Sequence, residues 1–369
     1  MQRQFPMHAQ LALLPRGEDM ARKKQPDTAV DVYTRTPKKR GKPRYQLKAH
    51  DIENLNHVRE YYLLTAWQLQ NLRFSENSLP YVQLRLQTLS GNNPKEPAAG
   101  YLRRRGLYPG SFGNTVQLYY LGTEAINLLS QLGYPITSRH RRLDKLHELS
   151  YPPLIHALNV NDVLIAGRNL PKAAPDIRLA SFLHDFDLQI NPAYVEFERR
   201  LPQKAGGGVQ PERVKIVPDG MLDFRLKLAN ADKERRRILL AEVDRGTETN
   251  IETFKQKIRA YVHYALPGGA FEEQFGRANK RVVWIVTRGG ENRLYTLRKW
   301  CEEELAEQEL EHEFNLFRFT LVEQVRTVEK QTGKEKISEE LAIDPSTFFL
   351  TDVAFKPYHK EPDTLLWRP

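Results

Sequence analysis

Asp219, Glu242, Asp244 and Lys257 are the residues of this chain whose types and spacing could do chemistry. Asp219 stands in VPDG, and MLDFRLKL follows it as an alternating apolar and polar run. A charged turn, ANADKERRR, then leads into the apolar run RILLAEVDR. Residues two apart on a strand share a face. Glu242 and Asp244 therefore project together, with Leu240 on the same side and Ala241 and Val243 on the other. If the two runs pair as a hairpin, Asp219 comes up to that acidic pair. Three converging carboxylates repel one another unless a cation lies between them, and hard oxygen donors suit Mg²⁺ or Mn²⁺. Such an ion activates water and offsets charge on a phosphate. From Thr249 the spacing predicts a helix that carries Phe254, Lys257, Ile258, Tyr261 and Ala265 along one side. Lys257 would then reach back to the carboxylates, where it could orient water or stabilise developing negative charge. Lys255 lies on a different face and is the second choice. The competing reading is a solvated basic helix face, with Asp244, Arg245 and Glu248 forming a salt-bridge group at a strand end.

The elements that must position these groups belong to a two-part α/β chain. Composition bounds the class: 369 residues, 40% hydrophobic and 28% charged, suit a globular protein of two or three domains. A single cysteine excludes an internal disulfide and a cysteine-based zinc cage, and points to a reducing cytoplasm. The start of the chain lacks a good signal-peptide pattern, and no apolar run is long enough for a transmembrane helix. Through Ser150 there are 23 Lys and Arg against 12 Asp and Glu, whereas the remainder is nearly balanced at 33 against 34. That asymmetry is the electrostatic footprint of a polyanion partner, double-stranded DNA above all.

Residues 1–47 include RTPKKRGKPRYQLK, a Pro- and Gly-interrupted basic run read as a flexible arm. Lys38, Lys39 and Arg40 would follow DNA phosphates or enter a minor groove. Over 48–135 the pattern is helical from Asp51 to Leu64, helical again after an N-capping Thr65, and helical a third time from Ser78. Two strand-like runs, YLRRRGLY and TVQLYYLG, follow, and then a helix from Thr123. This is the order of a winged helix-turn-helix. Its third helix would present Gln83, Arg85 and Gln87 to base edges, and Arg103, Arg104 and Arg105 would meet phosphate at the wing. A protein-binding winged helix has the same order. Residues 136–150 read as a linker and 151–330 as a second α/β domain with a mixed sheet. Residues 331–369 form an extension that could dock on the body or bind a partner. In YPPLIHALNVNDVLIAGRNL, His156 reads as a structural hydrogen bonder, and Asp162 as the slightly better candidate for an outer metal ligand.

The order PD, spacer, then E-x-D on the next strand resembles the PD-(D/E)XK nuclease superfamily. More closely, LTAWQLQNL, IHALNVNDVLIA, VPDG, LAEVDRGTET and FKQKIRAYVHY together resemble the replication-relaxation family of bacterial plasmids and mobile elements. The resemblance implies a restriction-endonuclease-like second domain and a role in replication or relaxation of plasmid-type DNA. Carried residue by residue, it puts Asp219 and Glu242 at the acidic positions and Asp244 where that superfamily has lysine. Either Lys257 supplies the missing charge, or the site is altered. Two functions therefore stand open. One is a Mg²⁺- or Mn²⁺-dependent endonuclease or nickase. The other is a non-catalytic replication or transcription factor on a degenerate nuclease fold, with a homodimer or other replication or mobile-element proteins as further partners.

Overall fold

The computed structural model describes residues 46–91, 100–107, 116–143, 150–201, 206–227, 234–247, 249–328 and 335–366. Lys38, Lys39, Arg40 and Glu248 lie outside the described residues.

The first part of the chain runs α1 (Ala49–Tyr61), β1 (Leu63–Leu64), α2 (Ala66–Arg73) and α3 (Leu79–Leu89), then β2 (Leu102–Gly106), β3 (Gln117–Leu121), α4 (Thr123–Gln131) and α5 (Ser138–Arg142). Thr65 caps α2 as its sequence predicts, its side chain accepting the Gln68 N–H at 3.1 Å. The helix expected to reach Leu64 stops at Tyr61 instead. Tyr62 adopts φ 65°, which ends the helical path, and Leu63 and Leu64 pair with Tyr120 and Tyr119. The three strands form an antiparallel sheet in the order β1-β3-β2.

The long helix α6 (Tyr151–Ala173) opens the second part. It is followed by β4 (Ile177–His184), α7 (Asp185–Leu188), β5 (Ala193–Arg200), β6 (Val209–Ile216), β7 (Gly220–Leu226), β8 (Arg235–Asp244) and α8 (Ile251–Ala265). Next come α9 (Ala270–Phe275), β9 (Asn279–Val286), α10 (Gly290–Glu307), β10 (Phe317–Leu321), β11 (Gln324–Val328) and β12 (Glu335–Leu341). The described chain ends with α11 (Pro345–Leu350), β13 (Ala354–Phe355) and β14 (Pro362–Asp363). The result is a mixed α/β fold on a seven-stranded sheet in the order β14-β13-β10-β9-β8-β7-β4. β8, β9 and β10 run parallel, joined through α8 and α10, while the flanking pairs are antiparallel. β5 and β6 form a separate hairpin. No helix among the described residues is long and apolar enough to cross a membrane.

Strand alternation sorts the core into two layers. Leu239, Ala241 and Val243 of β8 pack with Val160 and Leu164 of α6 and Phe349 of α11. Ile238 and Leu240 pack on the other face with Phe254, Ile258 and Tyr261 of α8 and Leu297 of α10. The first core also takes in Leu55, Leu69 and Leu86, so apolar packing runs unbroken from the three N-terminal helices through α6 to the sheet. Polar contacts reinforce that junction. Asn161 donates to the carbonyls of Tyr61 and Leu63 at 3.2 and 2.6 Å, and Gln68 donates to Asp162 Oδ1 at 2.7 Å. The C-terminal extension docks on the body, adding β13 and β14 to the sheet edge and α11 to the α6 layer.

Two glycines set how closely α6 lies on the sheet. A Cβ at Gly167 would come within 2.6 Å of a Leu222 methyl, and one at Gly220 within 3.2 Å of a Leu164 methyl. The glycine of VPDG thus lets α6 press against the start of β7. This close seating is what brings the N-terminal turns of α6 to Asp219.

Candidate active site

The hairpin expected from the sequence forms, with Gly220 paired to Ala241 and Met221 to Leu240. Asp219, one residue before β7, folds over the end of β8 and accepts the Val243 N–H on Oδ2 at 2.7 Å. Its carbonyl accepts the Asp185 N–H at 2.9 Å, which ties α7 to the same corner. Glu242 is 3% exposed and points to the α8 side of the sheet. There Lys257 Nζ donates to Glu242 Oε2 at 3.0 Å, and the Tyr261 hydroxyl donates to Oε1. Lys257 and Tyr261 are four apart on α8 and so share a face. Asn250 starts that helix by accepting the Glu252 and Thr253 N–H groups at 3.0 and 3.3 Å. Of the sequence-predicted site residues, the structure therefore brings together Asp219, Glu242 and Lys257.

The site holds a residue that sequence reasoning ranked too low. His156 Nε2 lies 3.0 Å from Asp219 Oδ1. Asp162, the candidate preferred over it, is elsewhere: buried, it accepts from Gln68 and from the Leu341 N–H at 2.8 Å. The two are on one helix, and only the seating of α6 decides which of its turns meets the carboxylates. Tyr261 lay on the predicted apolar stripe with no role assigned. Its position four residues beyond Lys257 was the signal that both would meet Glu242.

Asp244 departs from expectation. It projects to the same side as Glu242, as alternation requires, but Arg293 of α10 grips it through two bonds of 2.8 and 2.9 Å. Its Oδ2 also accepts the Gly246 N–H at 3.2 Å, and Gly246 takes φ +71°, so the aspartate and glycine of the DRG segment make the turn off the strand. Asp244 does not line the cavity that holds the other carboxylates. Arg245 points the opposite way and donates to the Pro152 carbonyl at 2.9 Å. Lys255 is bound to Glu307 at 2.9 Å, away from the site.

The groups around the cavity hold one another away from their ordinary protonation behaviour. Burial pushes Asp219 up, but the charge and hydrogen bond of His156, helped by Lys257 and the Val243 N–H, bring its carboxyl below the usual range. Glu242 ends above that range: burial raises it, Lys257 lowers it, and the nearby Asp219 charge raises it again. Burial lowers His156, yet Asp219, with Asp185 and Glu242 behind it, more than reverses this. Burial and the Glu242 carboxylate push the Tyr261 phenol far up, so it remains a donor. Two neighbouring carboxyls with affinities driven apart are the arrangement acid–base sites use. The partner lysine of Glu242 is 48% exposed, and such pairs return about 1 kcal/mol or less, below the several kcal/mol that burying a carboxylate costs. The pair is thus not explained by stability.

Asp219, Glu242, Lys257 and Tyr261 line a cavity of about 350 Å³, together with Asp185, Gln189 and Lys215, and His156 stands behind Asp219 outside it. Among the described residues, no group of three or more His, Cys, Asp or Glu is set to enclose a metal ion. The donor set that remains is the carboxylates of Asp219 and Glu242, with Asp185 on the same wall, in an open cavity. This fits Mg²⁺ or Mn²⁺ in the usual mode, with one or two carboxylates and the other ligands from water and a substrate phosphate.

The residues expected to meet DNA divide. Gln83 and Gln87 of α3 are exposed, with Tyr81 and Leu84 beside them. Arg85 is not available: it is 8% exposed and bonds both oxygens of the buried Asp51 at 2.7 Å. Its position between Val82 and Leu89 puts it on the buried stripe of α3, a consequence of helical spacing that the sequence already contained. On β2, Arg103 and Arg104 are exposed and Arg105 is half-buried.

An α/β protein with a cavity at its strand ends, holding a buried glutamate, a half-buried aspartate and a lysine, is the class these features define. Within it, residues 55–280 match the family described as Replication-relaxation, more than half of the chain, and the chain belongs to that family. The match spans His156, Asp219, Glu242 and Lys257, and ends before Arg293. No curated protein matches the chain.

Proposed function

We propose that this chain acts on plasmid-type DNA as a metal-dependent phosphodiester hydrolase, a nickase or endonuclease delivered by its N-terminal part. The observation that carries the reading is the meeting of Asp219, Glu242 and Lys257 in one cavity, with Lys257 Nζ 3.0 Å from Glu242 Oε2. Lys257 replaces, from the following helix, the lysine that the strand lacks at Asp244. The second part of the chain is accordingly a restriction-endonuclease-like fold of the PD-(D/E)XK type. The order α1, β1, α2, α3, β2, β3 supports reading the first part as a winged helix, with exposed Gln83 and Gln87 toward bases and Arg103 and Arg104 toward phosphate. Family membership supports a role in plasmid replication or relaxation.

Asp219 and Glu242 would hold Mg²⁺ or Mn²⁺, which when bound activates water and offsets negative charge on phosphate. The side chains supply the rest. Lys257 lies half in solvent beside Glu242 and is placed to balance charge growing on the phosphoryl oxygens. The water oxygen bonds to phosphorus and gives up a proton to the surrounding solvent, the P–O bond to the leaving strand end breaks, and the leaving oxygen takes a proton. His156, whose charged form Asp219 favours from 3.0 Å away, is placed to give that proton. Tyr261 keeps Glu242 in orientation.

One observation favours the second reading, a DNA-binding factor without turnover. Asp219 is engaged by His156 and Val243, and Glu242 by Lys257 and Tyr261, so a cation must compete with both basic groups for these oxygens. The test is nicking of supercoiled plasmid with Mg²⁺ and Mn²⁺ titrations, wild type beside Asp219→Ala. Metal-dependent nicking that Asp219→Ala abolishes supports the hydrolase. Absence of cleavage at every metal concentration, with DNA binding intact in both proteins, supports the factor.

A further inference from the structure

β5 and β6 form a two-stranded hairpin of their own, outside the seven-stranded sheet, and its two faces have different company. Alternation gives the inner face Val195, Phe197 and Ile216, which pack in the α8 core, with the Phe197 ring stacked on His263 of that helix. The outer face carries Tyr194, Glu196, Glu198, Arg213 and Lys215, all exposed. Residues directly opposite on an antiparallel pair share a face. The register sets Tyr194 against Lys215 and Glu196 against Arg213, with Glu198 further out, opposite Pro211. Lys215 also lines the cavity of Asp219 and Glu242, so this outer face begins at the cavity and leads away from it.

An exposed ring beside two cations needs a reason. Tyr194 keeps 50% of its surface in water, and the Arg213 guanidinium lies 5.0 Å from the centroid of its ring. Arg213 also meets Glu196 at 3.3 Å, but their side chains are 66% and 73% exposed; water screens such a pair, and a phosphate can take the place of the carboxylate. Aromatic rings on which bases stack, beside cations that track the backbone, are the parts of a single-strand site. Every base offers a π-face once it leaves its duplex neighbours, whereas a paired base has both faces covered. The arrangement therefore selects an unpaired strand.

We propose that the outer face of the β5–β6 hairpin holds a single DNA strand at the mouth of the cavity, with Tyr194 stacked on an unpaired base and Lys215 and Arg213 on the phosphates that flank it. The assignment rests on the hydrolase reading for what the cavity does to that strand. It specifies the substrate further: DNA already unpaired at the point of cleavage, reaching the cavity along the hairpin. Tyr194 is a positioning residue, since it binds the strand and touches none of the reacting atoms.

The test is equilibrium binding of a short fluorescent single-stranded oligonucleotide, and of its duplex, to the full chain in EDTA, where no metal-dependent cleavage can occur. Tyr194→Ala should weaken single-strand binding about tenfold and leave its salt slope and the duplex affinity unchanged. Tyr194→Phe keeps the ring and should bind the single strand within about threefold of wild type. Arg213→Gln and Lys215→Gln should each lower the single-strand salt slope by about 0.7. Tyr295→Ala, at a 58% exposed tyrosine of α10 that has Arg298 5.8 Å from its ring but lies outside the cavity, should change nothing. Wild-type single-strand affinity in Tyr194→Ala would overturn the assignment, and so would an equal loss in Tyr194→Phe or Tyr295→Ala. If Tyr194→Ala does not fold, an unchanged slope in both Arg213→Gln and Lys215→Gln overturns it instead. An equal loss of duplex binding in Tyr194→Ala would overturn it in favour of a duplex surface. Failure of the hydrolase reading is distinguishable: wild type then nicks no plasmid, while the single-strand losses persist and the hairpin stands as a strand-binding element.

Discussion

Replacing Asp244 by Asn should destabilise the protein without being a lesion of the site, whereas Glu242→Gln should do the reverse. Asp244 and Arg293 are 7% and 13% exposed at their side chains and meet through two bonds of 2.8 and 2.9 Å. Removing one partner of a buried pair costs about 3–5 kcal/mol because the other charge keeps its desolvation penalty. Some exposure at Arg293, and the ability of Asn to retain the Gly246 turn, reduce that to about 2–4 kcal/mol. At roughly 2–4 °C per kcal/mol for a domain of this size, the melting temperature should fall by about 4–16 °C. Glu242 is the opposite case. Burial and the Asp219 charge hold its carboxyl above the usual range despite Lys257, so the ionised form is disfavoured by the fold. A neutral isostere should leave stability unchanged or raise it by about 1 kcal/mol. The assay is thermal and urea unfolding of both variants beside wild type at pH 7, with plasmid nicking measured well below each melting temperature. Asp244→Asn should nick and melt early; Glu242→Gln should melt normally and fail to nick. The reasoning is refuted if Asp244→Asn melts like wild type and loses cleavage, since Asp244 then acts in the chemistry.

Two further outcomes follow from the packing of the first part of the chain. Burial pushes Glu60 up, but the hydrogen bond from His57 and the Arg168 guanidinium bring its pKa down to about 2. A folded value below the unfolded one means stability that is complete above pH ~4.5 and lost as pH falls toward 2, about 3 kcal/mol in all. The stability gap between wild type and Glu60→Gln, from urea midpoints, should therefore shrink between pH 5 and 2; a gap independent of pH contradicts the assignment. Arg85→Ala takes the guanidinium from the fully buried Asp51, which keeps the Lys48 N–H, and should cost about 2–4 kcal/mol, while Gln83→Ala should leave stability alone and weaken DNA binding. Equal melting temperatures for these two variants would remove the distinction drawn between the two faces of α3.

Local signals in the sequence were legible wherever the cause was local. Thr65 caps α2 because its own hydroxyl reaches the Gln68 N–H, and the hairpin carrying Asp219 and Glu242 follows from alternation on either side of a charged turn. Alternation also placed Glu242 and Asp244 on one face, and helical spacing placed Lys257 toward them. What it could not supply was the partner arriving from elsewhere: Arg293 takes Asp244 out of the site, and the identity of that arginine depends on how α10 packs. His156 and Asp162 were indistinguishable for the same reason, since the glycine contacts at Gly167 and Gly220 seat the helix, and only its seating selects the turn that meets Asp219. The strands that the extension adds to the large sheet, Ala354–Phe355 and Pro362–Asp363, have two residues each and are too short to show any period. Arg85 differs from these. Its burial was written in the spacing of Val82, Leu86 and Leu89 and was outweighed by its chemical suitability for DNA.

The central claim is that Asp219, Glu242 and Lys257 form a phosphodiester-cleaving site, with Lys257 supplying the positive charge that Asp244 cannot. Single-turnover cleavage of DNA under saturating Mn²⁺, measured for wild type, Glu242→Gln and Lys257→Met alongside DNA affinity in the same preparations, tests it most directly. The account predicts loss of cleavage by 100-fold or more, roughly 3 kcal/mol of transition-state stabilisation, in both variants with affinity within about threefold of wild type. Cleavage by Lys257→Met at the wild-type rate, or its loss only in proportion to lost binding, would contradict it.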